Sequence, residues 1–188
     1  MAIPKRIFTI WLNDRPTPRI VERCLRSQNL EGYEHRVITL DNVHRGSEYV
    51  NRCIAKKEWV RAADYLRLFY LDAEGGIYLD ADTEMNPCYN FDHLLDKRMF
   101  VFREKSRYLN NGFIGSEANH PWLKYVLRTM EGCFHSDSNL FLPGMQFFTD
   151  SYYMADRTAM GMEILDESEI KKLANHHGME SWLDEKQV

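Results

Sequence analysis

An α/β layered domain is the fold class that this sequence predicts, and three observations predict it. Short segments rich in β-branched and aromatic residues recur between stretches whose apolar residues follow a helical period. Glycine and proline clusters fall at the boundaries between those segments. The chain has 188 residues, 44% of them hydrophobic and 13% aromatic, which is enough to bury a core without disulfides and fits one domain spanning residues 1–188. Strands that alternate with helices pack as a sheet covered by helices.

The first strand is expected at Arg6–Leu12 (RIFTIWL), stopped by the turn-forming run NDRPTP at 13–18. A helix follows over Ile20–Leu30, where Ile20, Val21, Cys24 and Leu25 fall on one face, and HRVITL at 35–40 reads as the second strand. Val50–Ala73 is mostly helical, and Gly75 and Gly76 cap it. Ile77–Ala81 is the third strand. Further strands are expected at MFVF (99–102) and GFIG (112–115), and helices at His120–Met130 and DESEIKKLA (166–174).

Composition removes several function classes. The net charge is −4, with 24 basic residues dispersed among 28 acidic ones, so no basic footprint for nucleic acid exists. Cys24, Cys53, Cys88 and Cys133 form no Cys-x-x-Cys pair, which argues against a zinc knuckle or a thioredoxin-type site and fits reduced thiols in a cytosol. The apolar run near the N-terminus is too short for a signal sequence or a membrane span. A cytoplasmic protein with at most peripheral contact at the inner face of a membrane is the expectation.

The chemistry concentrates in GGIYLDADTE at 75–84. Strand alternation sends Tyr78, Asp80 and Asp82 to one face, with the two aspartates roughly 7 Å apart at their Cα atoms. Two carboxylates at the C-terminal end of a strand repel each other unless a cation lies between them, and open α/β sheets bind ligands at that end. Hard oxygen ligands suit Mg²⁺ or Mn²⁺ beside a phosphate. A solvated strand end carrying two acids is the plain alternative. An EF-hand starting at Asp80 fails, because Met85 and Phe91 stand where Gly and Glu are needed. A haloacid-dehalogenase-type phosphotransferase is a weaker option, since Glu84 occupies the place where such enzymes carry Thr or Val.

The wider stretch AADYLRLFYLDAEGGIYLDADTE (62–84) resembles the DXD region of the sugar-binding glycosyltransferases related to fungal initiating mannosyltransferases, bacterial capsular polysaccharide transferases and, distantly, clostridial glucosylating toxins. The matching residues are Asp64, Tyr65, Arg67, Gly75, Gly76, Tyr78, Asp80 and Asp82. IPKRIFTIWL, NNGFIGSEANHPWLK (110–124), PGMQFFTD (143–150) and HHGMESW (176–182) resemble further blocks of that family. Phe8, Ala63 and Met145 depart from its pattern.

The resemblance implies a GT-A fold, with a Rossmann-like nucleotide-binding half and a mixed central sheet flanked by helices. It implies transfer of a hexose, with retention of configuration, from a UDP- or GDP-linked sugar to a glycan or lipid-linked glycan acceptor, in surface polysaccharide synthesis. Asp80 and Asp82 would hold Mn²⁺ or Mg²⁺, with His176 or else His177 as a further ligand. Asp64 and Arg67 share a helical face and are either a surface ion pair or, as the resemblance implies, a grip on sugar hydroxyls. Asn111 is a turn cap or a contact to sugar or acceptor. Trp11 is a core aromatic or a platform for the base, while Tyr78 joins it at the donor. Ser181 and Trp182 would reach the diphosphate from a C-terminal lid over 176–188. A nucleotide-sugar-binding protein that has lost transfer is the second reading.

Overall fold

The computed structural model describes residues 3–104, 108–135, 144–155 and 161–178. Six strands form one sheet in the order β2-β1-β3-β6-β5-β7, built from β1 (Arg6–Ile10), β2 (Glu34–Ile38), β3 (Gly76–Leu79), β5 (Met99–Glu104), β6 (Tyr108–Ser116) and β7 (Met162–Leu165). Strands β2, β1 and β3 run parallel, β6 is antiparallel to both β3 and β5, and β7 is parallel to β5. The sheet is therefore mixed, with a parallel half that opens the chain. A second, two-stranded sheet pairs β4 (Thr83–Met85) with β8 (Ala174–His176).

The described α-helices are α1 (Arg19–Ser27), α2 (Glu48–Ala55), α3 (Trp59–Glu74), α4 (Pro121–His135), α5 (Met145–Met154) and α6 (Glu167–Leu173), and a short 3-10 turn lies at Asp92–Leu94. The region expected to be mostly helical from Val50 to Ala73 is two helices. Ser47 caps the first by accepting from the Val50 amide, and the chain turns at Lys57, whose φ is +57°, before α3 begins.

Period-two alternation sorts the strand residues into two cores. Phe8, Ile10, Ile38, Tyr78, Val101 and Ile114 face α2, α3 and α4. On the opposite side, Ile7, Ile77, Leu79, Phe100, Phe102 and Phe113 pack with Phe91, Leu94 and Leu173. Long helix α3 lies against the first core with Leu66 and Leu71 fully buried. Among the described residues, no helix is long and apolar enough to cross a membrane.

Two glycines make the junction between α3 and β3 possible. Gly75 and Gly76 have φ of +67° and +131°, and a Cβ on Gly76 would lie 2.7 Å from the carbonyl oxygen of Arg6 on the neighbouring strand. The direct entry from helix to strand, and with it the position of the aspartates that follow, depends on the absence of a side chain here. Gly76→Ala is expected to destabilise the fold by about 1–3 kcal/mol, which denaturant unfolding would measure as a lower midpoint at unchanged slope.

Candidate active site

Strand β3 ends at Leu79, one residue before the first aspartate. The Asp80 amide still donates to the Gly112 carbonyl of β6, at 2.8 Å, and the chain then turns, with the Thr83 amide returning to the Asp80 carbonyl at 3.0 Å. Asp82 therefore sits in a turn between β3 and β4. The expected strand alternation through Ala81 does not bring the two carboxylates together; this turn does.

The β4–β8 ribbon brings a histidine from the far end of the chain to that turn. Thr83 is in register with His176, and the His177 amide donates to the Asp82 carbonyl at 3.1 Å. His176 Nε2 lies 3.1 Å from Asp82 Oδ1 and 3.9 Å from Asp80 Oδ2. His177 points elsewhere and meets Glu84 at 2.8 Å, with Arg23 on the same carboxylate at 3.0 Å. Of the two histidines, His176 is the one that joins the aspartates.

One ligand atom from each of Asp80, Asp82 and His176 lies within 4.8 Å of the others. Ligands on opposite sides of Mg²⁺ are roughly 4 Å apart, so a small divalent ion fits with slight contraction. Two hard carboxylates and an imidazole are a competent donor set for Mn²⁺ or Mg²⁺. Space for the first carboxylate comes from Gly112, where any Cβ would overlap the Asp80 side chain.

Beneath this surface lies a buried ionic group. Arg67 and Asp64 are 6% and 5% exposed, so they are not the surface pair that their spacing alone allows. Arg67 Nη2 meets Asp64 Oδ1 at 3.0 Å, while Nη1 donates to the Asn111 carbonyl at 2.6 Å and lies 3.4 Å from Asp80 Oδ1. The guanidinium also rests over the ring of Tyr78, 4.7 Å from its centroid. Tyr78, expected at the donor, is 1% exposed and lies under the site, where its hydroxyl donates to Asp80 Oδ1 at 2.8 Å.

Asn111 reaches this group through an irregularity in the sheet. Between the Val101–Ile114 and Phe102–Asn110 pairs, β5 advances one residue while β6 advances four. The extra residues of β6 bulge out of the ladder and aim the Asn111 side chain at α3, where its Nδ2 donates to Asp64 Oδ1 at 3.1 Å. Asp64 Oδ2 is buried with no hydrogen-bond partner. Burial pushes the Asp64 carboxyl up to about 6, against the pull of Arg67 and with a further rise from Asp80.

Trp11 follows β1, at the same end of the parallel strands as Asp80. Its ring is half-buried, and its Nε1 is buried without a partner. Ser181 and Trp182 lie outside the described residues, as does the lid expected to contain them from residue 179 onward.

Residues 17–101 match the family described as glycosyltransferase sugar-binding region containing DXD motif. The matched stretch is a little under half of the chain and includes Asp64, Arg67, Asp80 and Asp82. An uncharacterized glycosyltransferase of Acanthamoeba polyphaga mimivirus is 27% identical over 143 residues, covering 68% of this chain and 55% of the relative. The chain thus spans about half the length of that curated relative. Among solved structures, the PaToxG glycosyltransferase superposes with a TM-score of 0.64 at 21% identity, covering 81% of this chain and 69% of the other. A glycosyltransferase involved in the glycosylation of the major capsid of PBCV-1 gives 0.55 at 16% identity, with 95% of each chain covered. The fold of this chain is accordingly of the GT-A type, in keeping with its mixed sheet.

The site adds several groups to those legible in the sequence. Gly112 clears room for Asp80, the β6 bulge orients Asn111, and Gln28 of the α1 terminus donates to the carbonyls of Asp80 and Thr83. Gln28 lies far from the motif in sequence and carries no local signal.

The hydrogen bond to Asp82 raises the His176 pKa above the ordinary 6.5, against the opposing effect of burial. In the metal-free protein the imidazolium pairing stabilises the fold at pH below that ordinary value and is lost as pH rises through the raised one. A bound cation must displace that proton. Mn²⁺ affinity is therefore expected to increase as pH rises through the raised pKa, with protons released on binding below it. Calorimetry in buffers of different ionisation enthalpy would count them, and His176→Ala would abolish the release.

Proposed function

We propose that this chain is a metal-dependent, retaining glycosyltransferase that moves a hexose from a UDP- or GDP-linked sugar to a glycan or lipid-linked glycan acceptor, in the synthesis of a surface polysaccharide. The observation that carries this reading is the convergence of Asp80, Asp82 and His176 directly above the buried group Asp64, Arg67 and Asn111. A cytoplasmic location, at most peripheral to a membrane, accompanies the proposal.

Breaking a sugar–diphosphate bond develops negative charge on the leaving group and oxocarbenium character on the sugar. Asp80, Asp82 and His176 would hold Mn²⁺ or Mg²⁺, which supplies Lewis-acid stabilisation to the departing diphosphate. Asp64 acts on the sugar side. Its unpartnered Oδ2 is an acceptor lacking a donor in a dry environment, and a hexose hydroxyl is a donor of the right kind. Asn111, held by its backbone carbonyl to Arg67 and by Nδ2 to Asp64, would offer the remaining polar capacity of its amide to the same sugar or to the acceptor. Arg67 fixes Asp64 and Asp80 in place, so that little reorganisation is needed as charge moves. Trp11 would offer its half-exposed ring to the nucleotide base and its unpaired Nε1 to a polar atom of the ligand. Ser181 and Trp182, within a lid over 176–188, would close on the diphosphate from above.

No general base is assigned, since in a retaining transfer by front-face attack the leaving phosphate accepts the proton of the incoming hydroxyl. Phosphotransfer with Asp80 as nucleophile is the poorer alternative, because Asp80 Oδ1 already accepts from Tyr78 and faces Arg67, which lowers its nucleophilicity. Nucleotide-sugar binding without transfer would use the same residues and differs only in turnover.

A panel of UDP- and GDP-sugars assayed for Mn²⁺-dependent nucleotide release tests the reading. One donor is expected to turn over, and Asp82→Asn is expected to lower the rate at least a hundredfold without loss of thermal stability. Binding of a donor with no release in the presence of candidate acceptors would establish the non-transferring alternative. Asp64→Asn is expected to weaken the intact nucleotide sugar about tenfold, the scale of one charge-assisted hydrogen bond, while leaving the free nucleoside diphosphate unaffected.

A further inference from the structure

Gln28 is fully buried at the C-terminus of α1, far in sequence from the DXD turn that it touches. Its Nε2 donates to the carbonyl oxygens of Asp80 at 3.0 Å and of Thr83 at 2.8 Å. These are the two ends of the turn that carries Asp82 between them. Neighbouring Ser27 adds a second tie from the same helix end, its Oγ accepting from the Met85 amide at 2.9 Å.

The orientation of the Gln28 amide is itself determined. Its Oε1 accepts from the Thr9 hydroxyl, which is also fully buried, and Thr9 Oγ1 lies 3.1 Å from His35 Nε2. Burial holds the His35 pKa below its ordinary value, so the ring is neutral at physiological pH and its Nε2–H tautomer donates to Thr9. The chain then runs in one direction, from the imidazole to the threonine hydroxyl, to the amide oxygen, and through both amide hydrogens to the turn. Reversing the amide would put Oε1 against two carbonyl oxygens and its NH₂ against the threonine hydroxyl. The Thr9 hydroxyl and both polar atoms of the Gln28 amide are paired, and neither side chain can rotate without breaking a hydrogen bond.

We propose that Gln28, oriented by Thr9 and His35, is a positioning residue that sets the span of the Asp80–Thr83 turn and thereby the separation of the Asp80 and Asp82 carboxylates. The consequence for metal affinity rests on the metal-dependent reading above; the effect on the turn does not. Deletion of the amide donors removes the bond to the Thr83 carbonyl and leaves the Asp80 carbonyl with the Thr83 amide alone, so the turn loosens while the sheet beneath it stays paired.

Gln28→Met keeps the length of the side chain and removes its donors. Hydrogen exchange in the metal-free protein is expected to become about tenfold faster at the Thr83 and His177 amides, which bond to the Asp80 and Asp82 carbonyls, and to stay unchanged at the amides of β1 and β3. Uniform acceleration across the chain, or none at the turn, would overturn the proposal. Thr9→Val, which leaves Gln28 in place but unoriented, is expected to give the same pattern at about threefold, and it decides the matter if Gln28→Met does not fold. Calorimetric titration with Mn²⁺ alone is expected to show about tenfold weaker binding for Gln28→Met than for the unaltered protein. Equal affinity alongside an opened turn would overturn the link to the carboxylates. Failure of the unaltered protein to bind Mn²⁺ would count against the metal reading, and the exchange pattern would still decide the role of Gln28.

Discussion

A single buried cation holds the site together. Arg67 projects from α3 into the space between the helix and the sheet, where it meets Asp64, Asp80, the Asn111 carbonyl and the face of Tyr78. Taking a guanidinium out of water costs several kcal/mol, and only several well-placed acceptors offset it. Those acceptors come from α3, the end of β3 and the bulge of β6, so the ion ties three elements to one point. The excess of acids over bases in this group leaves a net negative surface toward the turn, the condition that attracts a cation to Asp80 and Asp82. Asp64 Oδ2 lies in this group without a hydrogen-bond partner. Asp80, Asp82 and His176 together form a group that could hold a metal ion.

Rigidity under the aspartates has two sources. From the α3 side, the Gly75–Gly76 junction delivers the chain directly from helix to strand, so few free torsions separate Arg67 from Asp80. From the α1 side, Gln28 and Ser27 hold the turn and the start of β4 through buried hydrogen bonds. The histidine beside the aspartates arrives differently. His176 is carried by a three-residue strand whose partner, β4, is equally short, and the pairing is reinforced by the bond between His177 and Glu84. A ribbon of that length has little stability of its own. Its placement next to the aspartates depends on the tertiary contacts of α6 and of Glu84, which links it to Arg23 of α1.

Much of this protein was written in local sequence. The alternation of apolar residues in RIFTI and MFVF and the helical periodicity before Gly75 report which face each residue turns to the core, and that is a property of the chain within a few residues. Asp64, Arg67, Gly75, Gly76, Tyr78, Asp80 and Asp82 stand in one continuous stretch, so their likeness to the DXD region was visible without any knowledge of the fold. Only the tertiary structure decided the rest, because each of those features joins segments distant in the chain. Strands β4 and β8 are too short to show a period and exist through pairing with each other. The bulge that aims Asn111 is a mismatch between β5 and β6, invisible in either strand alone. Strand alternation predicted that Asp80 and Asp82 would share a face, whereas a hydrogen-bonded turn held by Gln28 brings them together. Burial removed the surface-pair reading of Asp64 and Arg67, which spacing could not do, since a pair three residues apart has the same sequence whether it meets water or a core. The choice of His176 over His177 followed from β-register, where a shift of one residue turns a side chain to the opposite face.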